Sequence, residues 1–97
     1  LSLLPEGRPC GGTPVTAAQA EMLRGVARRL EEATAAAASR AGAGLIRASA
    51  LSRGHDVCDA EPWTSGYAAE GKGPVPYHPN RDGMRAVAEA LDASLPR

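Results

Sequence analysis

The backbone is most restricted in one short stretch near the end of the chain, residues 74–83 with the sequence PVPYHPNRDG. Its three prolines fix φ, remove hydrogen-bond donors and push the residues before them into extended conformations. Asn80 is a favourable helix N-cap, and apolar residues then recur at helical spacing as far as Leu95. We therefore predict a stiff turn that presents His78, followed by a helix that packs against a core.

A histidine held in such a turn is suited to general-base catalysis. Imidazole titrates near neutrality, and one ring nitrogen can face a nucleophile while an acceptor orients the other. The same local pattern is also typical of a surface or helix-capping histidine. The role of His78 therefore depends on the rest of the chain.

The composition suits one small domain or a part of a larger one. The 97 residues include 11 basic and 11 acidic side chains, and this zero net charge without a basic face argues against a nucleic-acid partner. The aromatic residues are Trp63, Tyr67 and Tyr77, all in a loop-rich region, which predicts a poor core for an independent fold. No apolar run is long enough to cross a bilayer, so we expect no transmembrane segment.

Two regular patterns precede the His78 turn. Thr16, with Gln19 three residues later, has the capping-box pattern and begins a long amphipathic helix that Gly42 ends. Residues 45–49, with the sequence LIRAS, are the only convincing strand. A long helix, one strand and a terminal helix predict the second half of an alternating α/β layer whose other parallel strands are absent.

Three sequence blocks follow in order: SRGHDVC at residues 52–58, EPW at residues 61–63, and YHPN at residues 77–80 with Gly83 shortly after. Together they resemble the C-terminal part of the SGNH (GDSL-type) hydrolases, and most closely their secreted, disulfide-bearing bacterial esterase and lipase branch. The resemblance covers the chain from about Leu4 onward. It implies a flavodoxin-like three-layer α/β/α fold, hydrolysis of carboxylic esters by a nucleophilic serine, and no cofactor or metal.

By this resemblance, His78 matches the catalytic histidine of the family. Many members have an aspartate three residues before that histidine, where this chain has Val75. The resemblance then implies a Ser–His dyad in which a backbone carbonyl orients the imidazole, that of Val75 or, as second choice, that of Pro76. Asp56 and Asp59 are further candidates for the same role.

The resemblance also pairs Cys10 with Cys58 in a disulfide. The two cysteines are 48 positions apart, and closing a loop of this length stabilises a fold by roughly 3 to 4 kcal/mol in the chain-entropy model. A disulfide in this branch implies a secreted or cell-envelope protein.

The nucleophile is missing from the sequence, because the serines lie in no Gly-Asp-Ser or G-x-S-x-G context. The serines are Ser2, Ser39, Ser49, Ser52, Ser65 and Ser94. In the family, the nucleophilic serine and the oxyanion glycine and asparagine belong to earlier blocks. We therefore expect residues 1–97 to be the C-terminal portion of a single hydrolase domain. Its partners would be the serine-bearing N-terminal portion and an ester or lipid substrate.

Two other classes of protein fit parts of the pattern. Cys10, His55, Cys58 and His78 are the ligand types of a tetrahedral zinc site, although only His55 and Cys58 are close in sequence. A small disulfide- or zinc-stabilised interaction module without catalytic activity would also agree with the high helix content and the poor core.

Overall fold

A computed structural model describes residues 1–67 and 73–97 of the chain. It contains three helices, α1 (Ala17–Ala41), α2 (Ala48–Leu51) and α3 (Arg81–Ser94), joined by irregular segments. Within the described residues, none of these helices combines the length and the apolar character that crossing a membrane requires.

The predicted boundaries of the long helix are confirmed at both ends. The Thr16 hydroxyl accepts a hydrogen bond from the Gln19 N–H at 3.1 Å, and the Gln19 side chain accepts one from the Thr16 N–H at 2.9 Å. This reciprocal capping box satisfies two donors that the first turn would otherwise leave free. At the other end, Gly42 has a φ of 66° and its N–H bonds back into the last turn. Its left-handed backbone ends α1.

The predicted α/β fold is wrong. The described residues contain no strand, only one isolated antiparallel bridge between Thr64 and Pro79, and this does not fit a flavodoxin-like α/β/α fold. The predicted strand at residues 45–49 instead runs into α2, where the Leu51 N–H donates to the Arg47 carbonyl at 3.0 Å. A strand needs a neighbouring backbone to pair with, and without one this segment closes its hydrogen bonds locally.

The predicted disulfide between Cys10 and Cys58 is present, with an S–S distance of 2.08 Å. It lies beside a second contact between the same parts of the chain, since the Val57 N–H donates to the Leu3 carbonyl at 3.2 Å. Further along the N-terminal segment, the Arg24 guanidinium of α1 donates to the Pro5 carbonyl at 2.5 Å. The first ten residues thus join α1 to the turn that follows α2.

The apolar faces of the helices are largely uncovered. Among the described residues, Ala20 is the one apolar side chain that is fully buried, and the largest fully buried side chains are the polar Thr64 and Ser52. The helices make few contacts with one another. The prediction of a poor core is therefore confirmed for the described part of the chain.

Candidate active site

The backbone around His78 is held by a second segment that lies 13 residues earlier in the sequence. The Ser65 N–H donates to the His78 carbonyl at 2.8 Å, and the Tyr77 N–H donates to the Ser65 carbonyl at 2.8 Å. The antiparallel bridge between Thr64 and Pro79 lies in the same pairing. We call the paired residues 62–65 and 77–80 the histidine clamp.

Asn80 closes the clamp and begins α3. Its side-chain oxygen accepts from the Gly83 N–H at 3.0 Å, which confirms the predicted N-cap. Its side-chain amide donates to the Pro62 carbonyl at 2.6 Å, and its own N–H donates to the Trp63 carbonyl at 2.9 Å. One residue therefore fixes the start of α3 to the other half of the clamp.

The turn before His78 contains a strained residue. Tyr77 has a φ of 58°, in the left-handed region that a bulky non-glycine residue rarely adopts. Such a conformation costs about 1–3 kcal/mol and persists where the surrounding structure enforces it. Here the two backbone hydrogen bonds between Ser65 and residues 77 and 78 provide that restraint.

This turn fixes the hydrogen bond of the His78 ring. The Nδ1 atom lies 3.0 Å from the carbonyl oxygen of Pro76. A carbonyl can only accept, so Nδ1 carries the hydrogen and the Nε2 atom of the neutral ring presents a lone pair. The side chain is exposed, and Nε2 has no hydrogen-bond partner among the described residues. The ring is thus oriented and able to accept a proton.

The structure places the other candidates for orienting His78 elsewhere. The acceptor of the Nδ1 hydrogen is Pro76, the second choice, and not Val75. Asp56 accepts from the Cys58 N–H at 2.8 Å, and Asp59 accepts from the Asp56 N–H at 2.7 Å, so both carboxylates bond within their own turn. The catalytic role of His78 itself stays a prediction.

Folding makes the ionised form of the Asp56 carboxyl less favourable. Burial raises the pKa of Asp56 above its ordinary value of 3.8, the Cys58 N–H opposes this increase, and the neighbouring Asp59 carboxylate adds to it. A raised pKa means that the folded state binds the proton more tightly than the unfolded state does. Ionised Asp56 therefore lowers the stability of the fold at neutral pH, and the penalty diminishes as the pH falls through the raised pKa towards the ordinary value.

We expect Asp56→Asn to raise the melting temperature at pH 7. The amide oxygen can still accept from the Cys58 N–H, while the charge and its repulsion from Asp59 are removed. The gain should shrink as the pH falls through the raised pKa of Asp56 towards the ordinary value of 3.8, because the wild-type carboxyl then takes up its proton. Thermal unfolding of both proteins across this range measures the effect, with Glu21→Gln on the exposed face of α1 as the control for net charge. A lower melting temperature at pH 7 would contradict the interpretation.

An aromatic contact joins the clamp residue Trp63 to His55. The rings of His55 and Trp63 stack in parallel, with centroids 4.0 Å apart and an angle of 6° between their planes. The His55 Nδ1 lies 2.8 Å from the Glu61 carbonyl, and the Trp63 N–H donates to the His55 carbonyl at 2.9 Å. Sequence reasoning missed this contact and the clamp. The EPW block at residues 61–63 marks one half of the clamp in the sequence, but it does not show that this half pairs with the segment that carries His78.

The ligands suggested for a zinc site do not assemble. Cys10 and Cys58 are bonded to each other, and the rings of His55 and His78 each direct Nδ1 to a backbone carbonyl. In the part of the chain that the structure describes, no group of three or more His, Cys, Asp or Glu side chains is arranged to hold a metal ion.

The chain is similar in sequence to a known lipase. No family model matches the chain. No solved structure matches it either. Lipase 2 from Streptomyces coelicolor is 35% identical over 82 residues, which cover 78% of this chain and 26% of the relative. The chain thus spans about a quarter of the length of the lipase that it matches. Over most of its own length, the chain is related in sequence to a lipase.

Proposed function

We propose that this chain is the histidine-bearing part of a secreted SGNH-type esterase or lipase that hydrolyses carboxylic esters with a Ser–His dyad. The geometry of His78 is the main support for this proposal. Its imidazole is exposed, its Nδ1–H donates to the Pro76 carbonyl, and its Nε2 lone pair can accept a proton. The relationship to Lipase 2 supports the same chemistry. The disulfide agrees with an oxidising location outside the cytoplasm.

The nucleophile in this proposal comes from outside these 97 residues. No serine hydroxyl among the described residues is hydrogen-bonded to His78. The hydroxyls of Ser2, Ser52 and Ser94 donate to backbone carbonyls, and that of Ser49 donates to the Glu31 carboxylate. Their bonds are those of structural residues rather than of a nucleophile paired with a base.

The exposed apolar surface supports docking of this further polypeptide. One stripe on α1 and one on α3 present large apolar side chains that are 45–67% exposed: Met22, Leu23, Val26 and Leu30 on α1, and Met84, Leu91 and Leu95 on or directly after α3. Patches of this kind normally mark surfaces that another polypeptide covers. The aligned region is only about a quarter of Lipase 2. We propose that polypeptide corresponding to the rest of Lipase 2 covers both stripes. It would also carry the serine.

The mechanism then has two acyl-transfer steps. His78 Nε2 accepts the proton of the serine hydroxyl as its oxygen attacks the ester carbonyl, and it returns this proton to the departing alcohol. In the second step His78 Nε2 takes a proton from the water that attacks the acyl carbonyl. It gives this proton to the serine oxygen as the bond between that oxygen and the acyl carbon breaks, which releases the carboxylic acid. The Pro76 carbonyl orients the ring in both steps and fixes the tautomer of its neutral form. Being neutral, it stabilises the imidazolium less than an ionised carboxylate would.

Labelling of the natively purified protein with a fluorophosphonate probe tests the proposal. Intact-mass measurement under non-reducing and reducing conditions should find one adduct, on a serine of a polypeptide segment outside these 97 residues. The adduct should be lost when His78 is replaced by alanine, because the serine then has no base. A protein that takes up no probe, or takes it up equally without His78, would overturn the proposal.

A further inference from the structure

We infer that Trp63, with the His55 ring stacked on it, is a positioning residue for His78. The inference rests on the proposed function and deepens it, since it concerns how the base is held rather than which group is the base. It assigns a role to two side chains that are hydrogen-bonded neither to the His78 ring nor to the Pro76 carbonyl.

His55 is anchored through both its ring and its backbone. Its Nδ1–H donates to the Glu61 carbonyl at 2.8 Å, and its backbone N–H donates to the Ser52 carbonyl at 2.9 Å. Gly54, directly before it, has a φ of 85°, which only glycine adopts readily. His55 is therefore held by one hydrogen bond at its ring and one at its backbone, and the ring offers a fixed face for packing.

Trp63 stacks on that face of His55. The parallel ring arrangement, with centroids 4.0 Å apart, fixes the indole against the imidazole. The backbone adds a second connection, because the Trp63 N–H donates to the His55 carbonyl at 2.9 Å. Trp63 and His55 are therefore joined to each other and to the turn that the Cys10–Cys58 disulfide cross-links to the N-terminal segment.

The backbone of Trp63 is bonded to the segment that carries His78. The Trp63 carbonyl accepts from the Asn80 N–H at 2.9 Å, and Asn80 begins α3 only two residues after His78. A movement of Trp63 would shift this carbonyl and, with it, the histidine clamp. Misplacing a reacting group by about 1 Å can reduce a catalysed rate roughly 100-fold, so a stack remote from the chemistry can control the turnover number.

The test compares four variants of the complete protein, including its serine-bearing segment: His55→Ala, Trp63→Ala, the double variant, and Trp63→Phe. We expect each alanine variant to lower kcat by about tenfold or more with little change in KM, because the base is misplaced while the substrate contacts remain. The double variant should lose no more than the worse single variant, since both remove one shared contact. Trp63→Phe keeps an aromatic ring on His55 and should recover most of the lost kcat.

Several outcomes would overturn the inference. If kcat of Trp63→Ala equals that of the wild type, the stack does not position the base. If KM rises while kcat is unchanged, Trp63 contacts the substrate instead. If Trp63→Phe is as slow as Trp63→Ala, an aromatic face is not what the clamp requires. His78→Ala in the same assay keeps this result separate from the proposed function, because full activity without His78 would reject the base itself whatever the stack variants do.

Discussion

His78→Ala is expected to lower kcat for ester hydrolysis by about 10⁴-fold or more in the complete protein. The variant removes the group that takes the proton of the serine, and no other titratable side chain of the described residues is hydrogen-bonded at the Pro76 carbonyl. An unactivated serine hydroxyl is a weak nucleophile at neutral pH. Rates with a soluble ester, measured under saturating conditions, give the change in kcat directly.

The fold of this variant should be nearly intact. The His78 side chain is exposed, and the bond that ties its residue to Ser65 uses the backbone carbonyl, which alanine retains. The expected change in the free energy of unfolding is about 0.5 kcal/mol or less. An exposed residue of α1 provides the control, since Arg29→Ala should leave both the turnover and the stability nearly unchanged. Wild-type turnover in His78→Ala would show that another group is the base.

The two long helices could be predicted from the sequence because their end signals are local. Thr16 and Gln19, and likewise Asn80 and Gly83, satisfy one another within a single turn. Such groups are close in space whatever the rest of the chain does, so their pattern suffices. The pairing of Cys10 with Cys58 is not local, and its prediction came from the family resemblance.

The prediction that was wrong, and the features that were missed, depend on contacts between residues far apart in the sequence. Residues 45–49 have the composition of a strand, but composition does not supply the neighbouring backbone that a strand requires. The clamp was missed for the related reason that no pattern in residues 62–65 points to residues 77–80. The carbonyl that orients His78 belongs to Pro76 in a turn where Tyr77 has a positive φ, and the residue type of Tyr77 gives no signal of that conformation.

Gly83→Ala, in the first turn of α3 beside the clamp, should damage both the fold and the activity. A Cβ atom at position 83 would overlap the carbonyl oxygen of Trp63 and would lie 3.0 Å from the Trp63 Cβ. That carbonyl cannot simply turn aside, because it accepts the Asn80 N–H. Replacing glycine by alanine inside a helix normally stabilises it by about 0.5–1 kcal/mol. Here the clash dominates, and we expect the free energy of unfolding to fall by about 1–3 kcal/mol, as for other overpacked sites.

The same clash should also lower the catalytic rate. It can be relieved only if the start of α3 moves away from Trp63, and this movement would displace His78. We expect kcat to fall by up to about 100-fold while the protein is still folded. Gly25→Ala in α1 is the matched control, because the nearest atom to its new Cβ is the mobile end of Arg28 at 3.8 Å. That variant should gain about 0.5–1 kcal/mol and keep full activity. Chemical denaturation and ester turnover of both variants measure the contrast. If Gly83→Ala were as stable and as active as Gly25→Ala, the backbone of Trp63 would not hold α3, and the clamp could not be what positions the histidine.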